Sequence, residues 1–177
     1  MGAGPESTVI YYQSIISKFQ EKIGSKEDLP ELFINSINMY KMFNLLMNGK
    51  TPELVAYLTD AVQKLGSVGA DFVVFTGNTP HIVFDQVQEN VQIPMISMVE
   101  ETYSKSKEFK LEKFGLIGTK FTMGNNFFKK PFSAHNIDVV VPDRSEQEYI
   151  HRKIIEELEN DIVNNETRKV FSISLNK

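Results

Sequence analysis

The residues best suited to chemistry sit in short polar loops between apolar runs. Thr76-Gly77-Asn78-Thr79-Pro80-His81 follows the run Ala70-Asp71-Phe72-Val73-Val74-Phe75, and Thr119-Lys120-Phe121-Thr122-Met123 follows Phe114-Gly115-Leu116-Ile117-Gly118. A third loop, Gly2-Ala3-Gly4-Pro5-Glu6, stands at the start. Amides, hydroxyls and helix N-terminal N–H groups suit a small anion such as a carboxylate. Two readings of Asn78 and Thr79 stay open. They bind a ligand, or they cap the helix that Pro80 opens, as Asn and Thr do at many such junctions. Thr119 and Thr122 face the same choice. His81 is a candidate base, but a lone His in a first helical turn is more often a structural donor. The three His are too few and too scattered for a metal site, and no metal is expected. The Gly2-x-Gly4 pair lacks the third glycine, the preceding strand and the acidic residue of a dinucleotide fingerprint, so a nucleotide is not expected either.

The composition narrows the field further. The chain has 177 residues, 41% hydrophobic and 24% charged, which is ordinary for a folded protein. Its net charge is −4, with 19 Lys and Arg scattered among 23 Asp and Glu, so a nucleic-acid backbone finds no basic surface. No run reaches the roughly 18 apolar residues of a membrane helix, and the first residues have no basic region followed by an apolar one; cytosol is the default compartment. The cysteine count is zero, which removes disulfides, thiolate metal sites and cysteine nucleophiles together.

The elements that must hold these loops are legible from periodicity. Pro5 suits a first helical turn, and Val9, Ile10, Tyr12, Ile15, Ile16 and Phe19 follow at helical spacing. Since no strand precedes that loop, the chain looks as if it starts one element late. Leu32 to Ile37 reads as a short buried strand. Thr51 reads as the N-cap of a helix with Pro52 in its first position, a stripe of Leu54, Val55, Leu58, Ala61, Val62 and Leu65, and Gly66 to end it. The run 70–75 predicts a parallel strand covered on both faces. Strands are expected at 93–98, 114–118 and 137–141, and helices after Pro80, over 100–109, from Ser145 to about Asn160, and from near Glu166 onward, still running at Lys177. The Phe121, Phe127, Phe128 and Phe132 group reads as core. Strands alternating with helices predict an α/β fold with parallel sheets. The two similar strand, loop, helix units predict two lobes, 1–98 and 99–177, whose loops converge on one cleft.

Taken together, Gly2-Ala3-Gly4-Pro5-Glu6-Ser7-Thr8, Gly69-Ala70-Asp71 leading to Asn78-Thr79-Pro80-His81, Ile93-Pro94-Met95-Ile96-Ser97-Met98 and Gly118-Thr119-Lys120-Phe121-Thr122-Met123 resemble the aspartate/glutamate racemase family, in order and in spacing. The resemblance covers nearly the whole chain. It implies two pseudo-symmetric α/β lobes with flanking helices, often paired as homodimers, that invert the α-carbon of an acidic amino acid without pyridoxal phosphate or any other cofactor. Two cysteines, one per lobe, do the work: one thiolate removes the α-proton and the opposite thiol returns a proton to the other face. The resemblance also implies that Asn78 and Thr79 bind the substrate carboxylate, that Gly4, Thr119 and Lys120 line the cleft, and that Ser36 to Asn38 approach the substrate side chain.

The departures from the family pattern are specific. Gly77 stands where the family has the first cysteine, and the Gly-Cys-Thr-Glu motif of the second does not occur. Measured against the family, the sequence looks truncated at both ends, lacking a short N-terminal piece and a larger C-terminal one. No catalytic residue is intact on this reading. Three functions are consistent with the sequence: a diverged or incomplete version of a cofactor-independent racemase, a non-catalytic binding protein for an acidic amino acid or other small carboxylate, or a remnant without stable function. No membrane partner is implied.

Overall fold

The computed structural model describes residues 1–174, with side chains to Ser172, so the helix expected to run to Lys177 lies in part outside the described residues. The chain divides into two compact units, Met1–Ile96 and Ser97 onward. Each is α/β, with a short parallel pair of strands and flanking helices.

The first unit opens with helix α1 (Pro5–Ile23), which has Pro in its first turn and ends at Gly24 in the left-handed conformation (φ 69°). Helices α2 (Met39–Met47) and α3 (Thr51–Ser67) follow. Most of the stripe expected of α3 is buried: Leu54, Leu58 and Val62 are fully inaccessible, Ala61 and Leu65 nearly so, and Val55 is half-buried. Each fully buried Leu or Val of this kind contributes about 1.5–3 kcal/mol. Thr51 lies inside α3 and Lys50 occupies the cap position without a side-chain bond, so the expected Thr51 cap is corrected by one residue. The helix also runs past Gly66 to Ser67. Its end is closed by Gly69 N–H to the Gly66 carbonyl (3.1 Å) and Ala70 N–H to the Leu65 carbonyl (3.2 Å).

Strand β1 (Val73–Val74) pairs in parallel with β2 (Met95–Ile96). Both are shorter than the apolar runs predict, and Phe72 is exposed. Between β1 and β2 the chain forms a 3₁₀ turn over Thr79–Val83 and then α4 (Phe84–Glu89), where one continuous helix is expected. The strand expected at Leu32–Ile37 is absent. Leu32, Phe33 and Ile34 are exposed, and the segment makes one isolated bridge, Ser36 with Gly2. An apolar run does not by itself distinguish a buried strand from an extended segment whose partner is missing.

Residues 1–3 carry more structure than a bare loop. Gly2 donates to the Asn35 carbonyl and accepts from Ile37 N–H, both at 2.9 Å, while the Met1 carbonyl accepts from Thr76 N–H at 3.1 Å. The short run that feeds α1 is thus strand-like, held between residues 35–37 and the end of β1. A side chain at Gly2 would put its Cβ 2.7 Å from Thr8 Oγ1, so any larger residue here would force Thr8 to shift.

The second unit contains α5 (Met98–Glu108), β3 (Lys113–Gly115), α6 (Lys120–Gly124), α7 (Lys130–Ser133), β4 (Asp138–Val140), α8 (Arg144–Glu156), a 3₁₀ turn over Leu158–Asn160 and α9 (Asn165–Ser174). Strands β3 and β4 pair in parallel with Phe114 opposite Val139. Ser97 caps α5, accepting from Glu100 N–H, and Asp143 with Glu146 forms a full capping box at α8. The core is Val99, Tyr103, Leu116, Phe128, Phe132 and Ile137, with Phe114 and Phe127 packed on it. Phe128 stacks on Phe132 at 5.6 Å. Phe121 stands apart from this group, its ring edge-on to His151.

Candidate functional site

In the first unit the sequence-predicted residues Gly4, Gly77, Asn78 and Thr79 occupy two loops tied by hydroxyls. Gly4 is buried at the cap of α1, and its carbonyl accepts Thr8 N–H (3.0 Å), Thr8 Oγ1 (2.5 Å) and Ser7 Oγ (3.1 Å). Thr8 Oγ1 also lies 2.9 Å from Thr76 Oγ1. Thr76 Oγ1 also reaches the Met1 carbonyl, at 3.4 Å. This chain of hydroxyls joins the first turn of α1 to the loop after β1. Sequence reasoning missed the link, although Thr8 standing four residues after Gly4 in a first helical turn was a usable signal.

The loop after β1 then offers a position without a side chain. A Cβ at Gly77 would meet only Ala3 Cβ, at an ordinary 3.4 Å, so the backbone tolerates a side chain here. Next to it Asn78 does not cap the turn it precedes. Among the described residues its Oδ1 is buried and meets no hydrogen-bond partner. An unpaired buried amide oxygen costs about 1–3 kcal/mol, so it calls for an explanation. Thr79 is buried beside it, at 5% exposure.

His81 is buried as well, with Nδ1 3.1 Å from the Gly77 carbonyl. Its ring stacks on Phe84 at 5.2 Å and meets Phe75 edge-on. Burial lowers its pKa to about 4, and backbone hydrogen bonds to Gly77 and Asn78 oppose that shift without reversing it. A ring this reluctant to take a proton is a poor general base near neutral pH. The structure favours the donor reading of His81. Of the residues expected to approach a substrate side chain, Ser36 is engaged with Gly2, and Asn38 is the cap of α2, with Oδ1 accepting from Lys41 N–H at 3.1 Å.

The second unit uses its residues differently. Thr119 caps α6, its Oγ1 accepting from Thr122 N–H at 3.3 Å, and the two Thr hydroxyls are 3.2 Å apart. Lys120 Nζ lies 3.3 Å from Glu148 on α8. That ion pair competes with any ligand anion for the ammonium. Beside it, the pKa of His151 is lowered, chiefly by burial and next by the Lys120 charge. Among the described residues no group of three or more His, Asp or Glu is arranged to hold a metal ion, and no helix is long and apolar enough to cross a membrane.

Comparison with known proteins assigns the scaffold. A crystal structure described as a putative Asp/Glu racemase from Yersinia pestis superimposes with a TM-score of 0.82, at 26% identity, over 97% of this chain and 74% of that one. An aspartate racemase homologue from Pyrococcus horikoshii is 34% identical over 91% of this chain and 70% of that one, with a TM-score of 0.71. The broad specificity amino-acid racemase RacX of Bacillus subtilis is 26% identical over 148 residues, which is 82% of this chain; the matched region spans 64% of RacX. The family model for Asp/Glu/Hydantoin racemases matches residues 1–176. With the two α/β units and the loops at the ends of their strands, this establishes that the chain belongs to the Asp/Glu/Hydantoin racemase family.

Proposed function

We propose that this chain retains the ligand-binding part of a cofactor-independent amino-acid racemase and not its proton-transferring part, and so acts as a non-catalytic binding protein for an acidic amino acid or a related small carboxylate. The observation that carries this reading is Asn78, whose buried Oδ1 is unpaired while its side chain is not used as a cap. A carboxamide carries an acceptor and two donors on one planar group. It is suited to a ligand with both an ammonium and a carboxylate.

Loss of activity follows from residue types. Racemisation needs an acid or base on each face of the α-carbon, and a positioned group contributes about 10²- to 10⁴-fold. Gly77 offers no side chain, Thr76 next to it is an unactivated hydroxyl held to Thr8, His81 is buried with a depressed pKa, and the chain contains no cysteine.

Two measurements test the proposal. Ligand at about 100 times its Kd adds about 2.7 kcal/mol of stability, so millimolar L- or D-aspartate or glutamate is expected to raise the melting temperature of the parent protein and not of Asn78→Ala. No shift with any dicarboxylate overturns the binding role. Chiral chromatography after incubation with the same amino acids is expected to stay at background. Turnover in pure protein that Asn78→Ala abolishes would overturn the inactive reading.

A further inference from the structure

We propose that His81 is a positioning residue: by donating from Nδ1 to the Gly77 carbonyl it sets the orientation of the Gly77–Asn78 peptide, and with it the direction in which position 77 and the Asn78 amide face. The inference deepens the binding role given above and rests on it for its functional meaning.

The geometry supplies each step. A carbonyl only accepts, so the Nδ1 atom 3.1 Å from Gly77 O carries the ring proton. Phe84 against one face of the ring and Phe75 at its edge leave the imidazole plane little freedom. The backbone N–H of His81 reaches the next carbonyl, that of Asn78, at 3.0 Å. Residue 81 therefore holds two consecutive loop carbonyls. In a trans peptide the N–H points opposite to the C=O, so drawing the Gly77 carbonyl toward His81 turns the Asn78 N–H away from it. Glycine is the residue least able to fix such an orientation by itself, because it lacks the Cβ that restricts φ and ψ. A side-chain tether four residues later does what residue 77 cannot.

The ring holds the loop and transfers no proton. That distinguishes it from the base considered from sequence, and it explains why a histidine is buried among aromatics beside a strand end. The Nδ1–H tautomer is a direct consequence.

The test needs no ligand, so its outcome is separate from that of the binding experiment. Gly77→Cys places a thiol at the position the loop orients, where a Cβ would meet only Ala3 Cβ, at 3.4 Å. Its reaction with an aromatic disulfide reagent is followed over about pH 6 to 9, alone and combined with His81→Asn, which keeps an N–H donor, or His81→Leu, which keeps bulk only. His81→Leu is expected to change the rate or shift the midpoint by about tenfold, in line with the loss of one hydrogen bond, and His81→Asn to stay within about threefold of the parent thiol. Equal behaviour of all three thiols overturns the proposal. The second measurement uses the unsubstituted protein and is indifferent to how the variants fold. Ring-nitrogen NMR shifts at neutral pH are expected to report the Nδ1–H tautomer, and an Nε2–H tautomer with a bare Nδ1 would overturn the proposal as well.

Discussion

The two strand, loop, helix units of this chain read alike and are used differently. After β3, Thr119 is consumed by local structure, capping α6 through Thr122 N–H, and Lys120 is paired with Glu148. After β1, Asn78 caps nothing and keeps a buried unpaired oxygen, while its loop is held from behind by His81 and from the side by the Thr8–Thr76 hydroxyls. A polar residue at a helix start is thus evidence for a ligand only when the helix does not need it. The first loop carries polar capacity to spare, and the second has spent its own.

The comparison can be broken most sharply through the aromatic supports. Phe75 and Phe132 are both fully buried, one leading into the first loop and the other in the core of the second unit. Truncating either to Ala is expected to cost about 3–5 kcal/mol by denaturant unfolding. Only Phe75→Ala should also weaken the response to acidic amino acids, because its ring backs His81. Equal loss of ligand response in both variants would show that the first loop is not special.

Next in size is a pH effect at His81 in the first loop. His81 has a folded pKa lowered to about 4 from 6.5, so the unfolded chain binds the extra proton between these values. The contribution is complete above about pH 6.5 and is lost as pH falls toward 4, amounting to on the order of 3 kcal/mol. Melting temperatures of the parent and His81→Asn should therefore converge as the pH is lowered through this window. Parallel curves would contradict it.

The smallest effect separates the two polar residues themselves. Thr119→Ala removes a cap and is expected to cost about 1 kcal/mol. Asn78→Ala removes a buried atom with no partner and should leave stability within about 0.5 kcal/mol of the parent, or raise it, because an unmet polar group goes with it. Reversed magnitudes would exchange the roles assigned to the two loops.

Much of this was legible in the sequence, for identifiable reasons. The stripe of α3 buried as its spacing predicts, since one apolar face of a helix has one place to go. The same spacing on α1 left no residue of that helix buried, with Val9, Ile10, Tyr12 and Ile15 exposed. Periodicity states that a face is apolar and says nothing of whether a partner is present to cover it. The runs at 32–37 and 70–75 suffered from the same gap, because a strand exists only where a second strand accepts its hydrogen bonds. The loop residues were correctly placed at strand ends, but whether Asn78 or Thr119 acts as a cap could not be told from their types.

The sequence by itself determined the family, the alternation of strands and helices, and the absence of any thiol, because these depend on residue types, order and spacing. Tertiary structure decided that Asn78 Oδ1 is buried without a partner among the described residues, that Lys120 is paired with Glu148, and that His81 is a neutral donor to the Gly77 carbonyl. These depend on burial and on partners up to 28 residues away along the chain, as Glu148 is from Lys120, and a hydrogen bond exists only where the fold brings donor and acceptor within reach.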